Sequence, residues 1–150
     1  MSVIFAFSAQ PAADSSRASG NTVRAVATVV DPGFKKKPVS VQEKIIAEYQ
    51  HLARKSAHSI LYFVLGCLAA SALGTFAMNP WGRLAAAEGI AALYAVSDEF
   101  HQHFVGGRSA QVSDVLLDSA AALAGVLLVA AFLGLWRRRK RRRRERIGQG

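Results

Sequence analysis

The residues best suited to chemistry lie in one stretch, SDEFHQHFVGGRSAQVSDVLLD, at positions 97–118. It holds four carboxylates, two histidines and an arginine, and apolar runs flank it on both sides. A charge at the centre of a membrane helix costs about 2.5 to 3.5 kcal/mol on insertion scales. The cluster therefore indicates either mutual pairing of the charges or a ligand-binding role.

Basic side chains in and before this stretch could bind an anion. The guanidinium of Arg108 can hold a phosphate or a carboxylate through two parallel hydrogen bonds. Together with Arg54 and Lys55, it would suit a lipid headgroup or a lipid-linked wall precursor. The simpler interpretation is a buried ion pair of Arg108 with Asp98 or Asp114, which would hold a loop to a helix.

Metal binding has less support. His58 with Asp98 and Asp114 could coordinate a divalent ion, and so could Glu99 with His103. The sequence has no HExxH or clustered Cys/His motif, so we expect no metal and no cofactor. It also has no nucleophile elbow, P-loop or phosphatase signature, which leaves any catalytic residue unassigned.

Helical geometry brings the polar residues to one end of a bundle. Asp114 and Asp118 stack one turn apart, and Arg54 and His58 do the same on an earlier helix. Three helices would thus direct polar groups toward a common outer vestibule. The residues expected to bind a ligand there are Arg54, Lys55, His58, Asp98, Glu99, Gln102, Arg108, Asp114 and Asp118.

Three apolar segments could position these groups, because a bilayer span needs about 20 mostly apolar residues. They cover about residues 57–78, 84–97 and 115–136. The second is the weakest, since Glu88 interrupts it and many of its residues are alanine; Glu88 could be a neutral hydrogen-bonded acid or a proton relay. The predicted fold class is all-α, a polytopic transmembrane bundle with three full spans and a partial N-terminal one.

Small residues recur at four-residue spacing in all three spans, which favours close approach of helix backbones in lipid. They are Gly66, Ala70 and Gly74, then Ala87, Ala91 and Ala95, then Ala121 and Gly125.

The region before the first full span has two predicted parts. Residues 9–21 are small and polar and indicate a linker. Ser40 and Glu43 then have the spacing of a helix capping box. An amphipathic helix that lies on the membrane surface is predicted to follow. Its apolar face consists of Val41, Ile45, Ile46, Tyr49 and Leu52.

The net charge of +9 is concentrated at the C-terminus, where residues 137–146 hold nine of the 19 basic residues. Basic residues that abut a span mark its cytoplasmic end and attract anionic lipids, so membrane lipids are the expected partners and nucleic acid is not. This orientation places the polar residues outside. We predict a membrane domain over residues 1–136 and a disordered cytoplasmic tail over 137–150. Cys67 is the single cysteine, so no internal disulfide can form.

Several of these motifs also carry a family resemblance. Asp98-Glu99-x-x-Gln102, Gly107-Arg108-Ser109, Asp114 and Gly125 resemble the signature of the VanZ-like family of small bacterial membrane proteins. Residues 54–62 and 7–20 are similar to that family's second helix and to the segment after its first helix. The chain departs from the pattern at Gly106 and Ala121, and the front of its first helix is expected to be missing.

The resemblance implies a multi-pass protein of the bacterial cytoplasmic membrane. The family is linked to the cell envelope and to teicoplanin resistance, without a defined reaction. We therefore expect an outward-facing site that binds an anionic envelope ligand or influences glycopeptide susceptibility. An enzyme that acts on lipid-linked envelope material, or a structural or partner-binding membrane protein, are the alternatives.

Overall fold

The computed structural model describes residues 12–104 and 111–147, with side chains described over 20–104 and 111–144. These residues form helices and turns and contain no β-strand, as the sequence predicted. The elements are α1 (Ala12–Val30), a 3-10 turn (Phe34–Lys36), α2 (Val39–Leu73), α3 (Pro80–Gln102) and α4 (Val112–Ile147).

Two of these helices are long and apolar enough to cross a membrane, namely α2 and the Val112–Arg144 part of α4. Their most apolar windows have mean hydropathies of 1.6 and 2.2, and only 17% and 22% of those windows is buried. The core helix of a soluble protein would be mostly buried. Both helices are therefore consistent with a membrane protein.

The prediction of three full spans is supported only in part. Among the described residues α3 does not qualify as a span, so three full spans are not confirmed. Six of its 13 apolar residues are alanine, which is only weakly hydrophobic, and Glu88, Asp98 and Glu99 lower its hydropathy further. The predicted partial N-terminal span falls within residues 1–10, which lie outside the described part of the chain.

The linker predicted over residues 9–21 is wrong from Ala12 onward, where α1 begins. The small residues of this segment include several alanines, the best helix former, so small size alone did not indicate a linker. Val23 and Ala27, one turn apart, are buried. These two residues give α1 an inner face.

The corner between α1 and α2 is held by one buried aromatic ring and one acid. Phe34 is buried. Asp31 forms an ion pair with Lys37, and it accepts a hydrogen bond from the backbone N–H of Gly33 at 3.0 Å. The Lys37 ammonium, more than the Gly33 N–H, lowers the pKa of Asp31. The carboxylate thereby joins the two ends of the turn.

Helix α2 begins at Val39, two residues earlier than a capping box with Ser40 at the N-cap requires. The backbone N–H groups of Val41 and Gln42 both donate to the carbonyl of Pro38 at 3.0 Å, so Pro38 precedes the first turn. Ser40 lies inside that turn and not at its cap. The predicted surface helix and most of the first predicted span form one continuous helix of 35 residues, which ends at Leu73, before the predicted end of the span at residue 78.

Helix α4 continues through the basic run to Ile147, where the sequence had predicted disorder. The Lys140 ammonium lies 5.2 Å from the centroid of the Trp136 ring, a cation–π contact at the start of this run. The domain boundary at residue 136 stays a prediction.

The described residues form two compact units. The first unit comprises the chain up to His58 together with Ser97–Asp114, and the second comprises Ser59–Val96 and the chain from Val115 onward.

Small residues bring the helices of the second unit together. A Cβ atom on Gly66 would overlap the backbone carbonyl of Ala122, and one on Gly125 would overlap the carbonyl of Phe63. Helices α2 and α4 therefore touch backbone to backbone in this unit. On α4 the fully buried alanine is Ala122, one position beyond the predicted Ala121, which is half-buried.

Alanines make up much of the buried apolar core of the second unit. Ala70 of α2, Ala87 of α3 and Val126 of α4 form its apolar core. Ala91 and Ala95 are also buried, as the four-residue spacing on α3 predicted. Tyr62 is the largest side chain buried here, and its ring lies 6.3 Å from that of Tyr94.

Candidate functional site

Seven of the predicted site residues that the structure describes lie in the first unit, and six of them form a cluster. Helix α2 supplies two basic groups, the end of α3 supplies two carboxylates and an amide, and the first turn of α4 supplies a further carboxylate. These residues are Lys55, His58, Asp98, Glu99, Gln102 and Asp114.

The most accessible interaction in this cluster joins α2 to α4. The Nζ atom of Lys55 lies 2.5 Å from Oδ1 of Asp114, and the two side chains are 27% and 24% exposed. Asp114 lies in the first turn of α4, where the helix dipole favours a negative charge. Solvent reaches the pair, so its attraction is partly screened and its net contribution to stability is about 0 to 1 kcal/mol.

Asp98 is the most buried charged residue of the cluster, with 1% of its surface exposed. Its Oδ2 accepts a hydrogen bond from Nε2 of Gln102 at 3.0 Å, one helical turn away. Nδ1 of His58 lies 3.7 Å from the same oxygen. That distance is too long for a hydrogen bond, so the histidine stabilises the carboxylate mainly when its ring is protonated.

Glu99 is also buried, and it holds the segment that leads into α4. Its Oε1 accepts a hydrogen bond from the backbone N–H of Gln111 at 2.6 Å. Gln111 was missed by the sequence interpretation. Its contribution is a backbone donor, which every residue except proline carries, so no sequence signal could have found it.

The other three predicted residues have different positions. Arg54 is half-buried on α2 and makes interactions of its own. Asp118 is buried in the second unit, one helical turn beyond Asp114 along α4. Arg108 lies outside the described residues, so both of its predicted roles, anion ligand and ion-pair partner, stay predictions.

The chemistry available to the cluster depends on which of its charged groups already have partners within the protein. Asp98 and Glu99 are buried and accept hydrogen bonds from the protein, whereas Lys55 and Asp114 hold each other where solvent has access. An incoming anion can therefore reach Lys55 if it displaces Asp114. Across residues 12–104 and 111–147, no group of three or more His, Cys, Asp or Glu is arranged to hold a metal ion.

The comparisons with known proteins identify one family. A family model described as VanZ/LLP1 matches residues 1–134 and so covers most of the chain. No curated protein and no solved structure shows significant similarity to this chain.

Proposed function

Because the chain belongs to the VanZ/LLP1 family, we propose that it is a multi-pass protein of the bacterial cytoplasmic membrane whose polar site binds an anionic ligand of the cell envelope. The ligand class is a phosphate-bearing lipid or lipid-linked precursor. Two apolar helices and the family membership are consistent with the membrane location.

One observation carries this proposal, namely the partly exposed ion pair of Lys55 and Asp114. A lysine ammonium is a compact point charge and a common phosphate ligand. Asp114 holds the ammonium in place when no ligand is bound, and a phosphate takes over that role on binding. The exchange replaces one charge-assisted hydrogen bond by another, so the free-energy cost of opening the pair is small.

The neighbouring residues keep this lysine in position. Glu99 ties the end of α3 to the backbone of Gln111, which precedes α4. Asp98 accepts a hydrogen bond from Gln102 within α3 and lies 3.7 Å from His58 of α2. These contacts hold the residues around Lys55 and Asp114 in position. Arg108, from the segment between α3 and α4, is the second phosphate ligand in this proposal, because a guanidinium can hold a phosphate through two parallel hydrogen bonds.

The outward orientation of the site rests on the basic run at the end of α4. Arginines that follow directly on an apolar helix favour the cytoplasmic side. The beginning of α4, which carries Asp114, then lies at the opposite membrane surface, where envelope precursors and glycopeptide drugs are present.

The first test is glycopeptide susceptibility in a sensitive Gram-positive host, with the membrane-inserted protein quantified in the same cells. Wild type is compared with Lys55→Gln, Arg108→Ala and the control Lys44→Gln, which removes an exposed charge of α2 away from the site. We expect selective protection against teicoplanin over vancomycin, lost in the two site variants and kept in the control. Absence of protection by well-inserted wild type would contradict the link to susceptibility.

A second candidate function is purely structural, with the cluster serving as a clamp between helices. The observation that favours it is that Asp98, Glu99 and Asp114 all have protein partners. Under this alternative, Lys55→Gln lowers the amount of folded protein, and a charge swap of Lys55 with Asp114 restores it. Under the ligand-binding function, the swap restores the fold but not the protection.

A further inference from the structure

The second unit contains a cleft that the polar site does not use. Its volume is about 160 Å³, and its lining is mostly apolar. An apolar cavity of about 150 Å³ is large enough for benzene, so this cleft suits part of one acyl chain and not a whole lipid. It is lined by residues of all three helices in the unit, among them Ala70, Leu84, Val126, Leu133 and Gly134.

Two arginines contribute to the lining of this otherwise apolar space. Arg83, from the first turns of α3, donates from Nη2 to the carbonyls of Phe76 and Met78 at 3.3 and 3.2 Å. These bonds fix its guanidinium beside the cleft. Arg137, the first residue of the basic run on α4, is the second arginine of the lining and is exposed.

The guanidinium of Arg83 has a hydrogen-bond donor that none of these carbonyls uses. Its Nε atom is buried and has no acceptor among the residues that the structure describes. A buried donor without an acceptor costs about 1 to 3 kcal/mol. An oxygen atom from a bound molecule would remove that cost, and a phosphate can accept from a guanidinium in the bidentate manner.

From these observations we propose that the cleft is a binding site for an anionic phospholipid. One acyl chain occupies the apolar part, and the headgroup phosphate accepts hydrogen bonds from Arg83 and Arg137. The charge of the lining selects the headgroup: basic pockets between membrane helices on the cytoplasmic side bind anionic lipids in this way. The exposed Trp136 next to Arg137 is typical of the membrane–water interface, where such a headgroup lies.

This site is separate from the proposed ligand at Lys55. All residues that line the cleft belong to the second unit, whereas Lys55 and Asp114 belong to the first. Variants of the cleft can therefore be tested without altering the polar site.

The experiment measures which lipids stay bound to the protein. Full-length protein is extracted from vesicles that contain equal amounts of phosphatidylglycerol and phosphatidylcholine with identical acyl chains, and native mass spectrometry counts the lipids retained. We expect wild type to retain phosphatidylglycerol in preference to phosphatidylcholine. Arg83→Gln should reduce that preference about fivefold, the effect of one basic side chain near anionic lipid. Arg139→Gln, which removes the same charge away from the cleft, should leave it unchanged.

A second variant keeps the proposal falsifiable if Arg83→Gln does not fold. Gly134 lines the cleft, and a Cβ there meets nothing within 4 Å, so Gly134→Phe adds a bulky side chain at the cleft without a clash at its Cβ. It should abolish selective retention of phosphatidylglycerol. Gly89 is equally open and does not line the cleft, so Gly89→Phe is the matched control and should retain the lipid.

Four results would overturn the proposal. The first is equal retention of the two lipids by wild type, and the second is undiminished preference in Gly134→Phe. The third is displacement of phosphatidylglycerol by millimolar inorganic phosphate, which would assign the arginines to a free anion. A dimer that is lost in Gly134→Phe but kept in Gly89→Phe would mean that a second copy of the chain occupies the cleft, and it would also overturn the lipid assignment.

Discussion

The two units of this protein hold their helices together by opposite means. In the first unit, side chains reach across: Lys55 to Asp114, and Glu99 to the backbone of Gln111. In the second unit, the contact is made by residues without a side chain: Gly66 and Gly125 let the backbones of α2 and α4 touch. The same two helices, α2 and α4, take part in both kinds of contact.

The difference reflects the two ways in which helices associate in lipid. Apolar contact alone does not favour a helix over a lipid tail, so close packing of small residues and polar contacts have to supply the association energy. In this protein the polar contacts described above lie in the first unit, and the close packing of small residues lies in the second. The second unit should therefore respond to changes in side-chain volume, and the first to changes in charge and hydrogen bonding.

The largest effect is expected from added volume in the second unit. In Gly66→Leu the new side chain overlaps the Ala122 carbonyl, and backbone atoms cannot move aside as a flexible side chain can. We expect a loss of about 3 kcal/mol or more in the free energy of unfolding, at the upper end of overpacking costs. Thermal unfolding in mild detergent measures it, together with the monodisperse fraction. Gly89→Leu is the control, and equal losses in both variants would contradict the close contact of α2 and α4.

The second largest effect is expected from removal of the buried carboxylate in the first unit. Asp98→Ala leaves the amide of Gln102 and the ring of His58 without their shared partner. Breaking a buried charged pair from one side costs about 3 to 5 kcal/mol, and the 3.7 Å separation from His58 places the expected loss at the lower end. Asp98→Asn keeps an acceptor for Gln102 and should lose less. Chemical denaturation of both variants tests the order, and the reverse order would show that the acceptor for Gln102 does not stabilise the fold at this position.

A smaller effect is expected at the partly exposed pair. Lys55→Gln and Asp114→Asn should each change the free energy of unfolding by about 0 to 1 kcal/mol, because solvent screens the pair. The double swap Lys55→Asp with Asp114→Lys restores the attraction between the two side chains but places a cation in the first turn of α4, so it should recover only part of any loss. Thermal unfolding at low and high salt checks this, and a loss above about 2 kcal/mol in either single variant would mean that the pair is a structural clamp.

The smallest effect is expected at the corner between α1 and α2. Lys37 lowers the pKa of Asp31, so the pair stabilises the folded state above the ordinary pKa of 3.8, and this contribution is lost as the pH falls through the lowered value. Lys37→Gln should raise the pKa of Asp31 toward 3.8. Carboxyl chemical shifts followed by NMR through an acid titration report the change, and an unaltered pKa would show that the Gly33 N–H dominates instead.

Much of the fold could be predicted from periodicity and composition. The all-α class, the two apolar spans and the buried alanines of α3 follow from local patterns, since a helix face is defined by residues close in sequence. The linker was wrong because alanine and serine are compatible with both a loop and a helix. The offset from Ala121 to Ala122 has a related cause: a run of three alanines does not reveal which one faces the neighbouring helix.

The sequence could predict which residues gather at the site but not which of them contact each other. The sequence placed Lys55, His58, Asp98 and Asp114 at one end of the helices, and the structure brings these four together in one unit. The pairing of Lys55 with Asp114 depends on how far α2 and α4 are shifted along each other, which local periodicity does not determine. The cleft beside Arg83 was missed for the same reason, because residues from three helices form it.

The measurement that tests the central claim most directly is binding of a long-chain prenyl phosphate to purified wild type, Lys55→Gln and Asp114→Asn. Bilayer discs rich in phosphatidylglycerol keep any site selective for that lipid filled. If Lys55 binds the phosphate and Asp114 competes for it, Lys55→Gln should weaken binding by at least about tenfold, and Asp114→Asn should strengthen it. Equal weakening in both variants, or no change in either, would contradict the ligand-binding role of this pair.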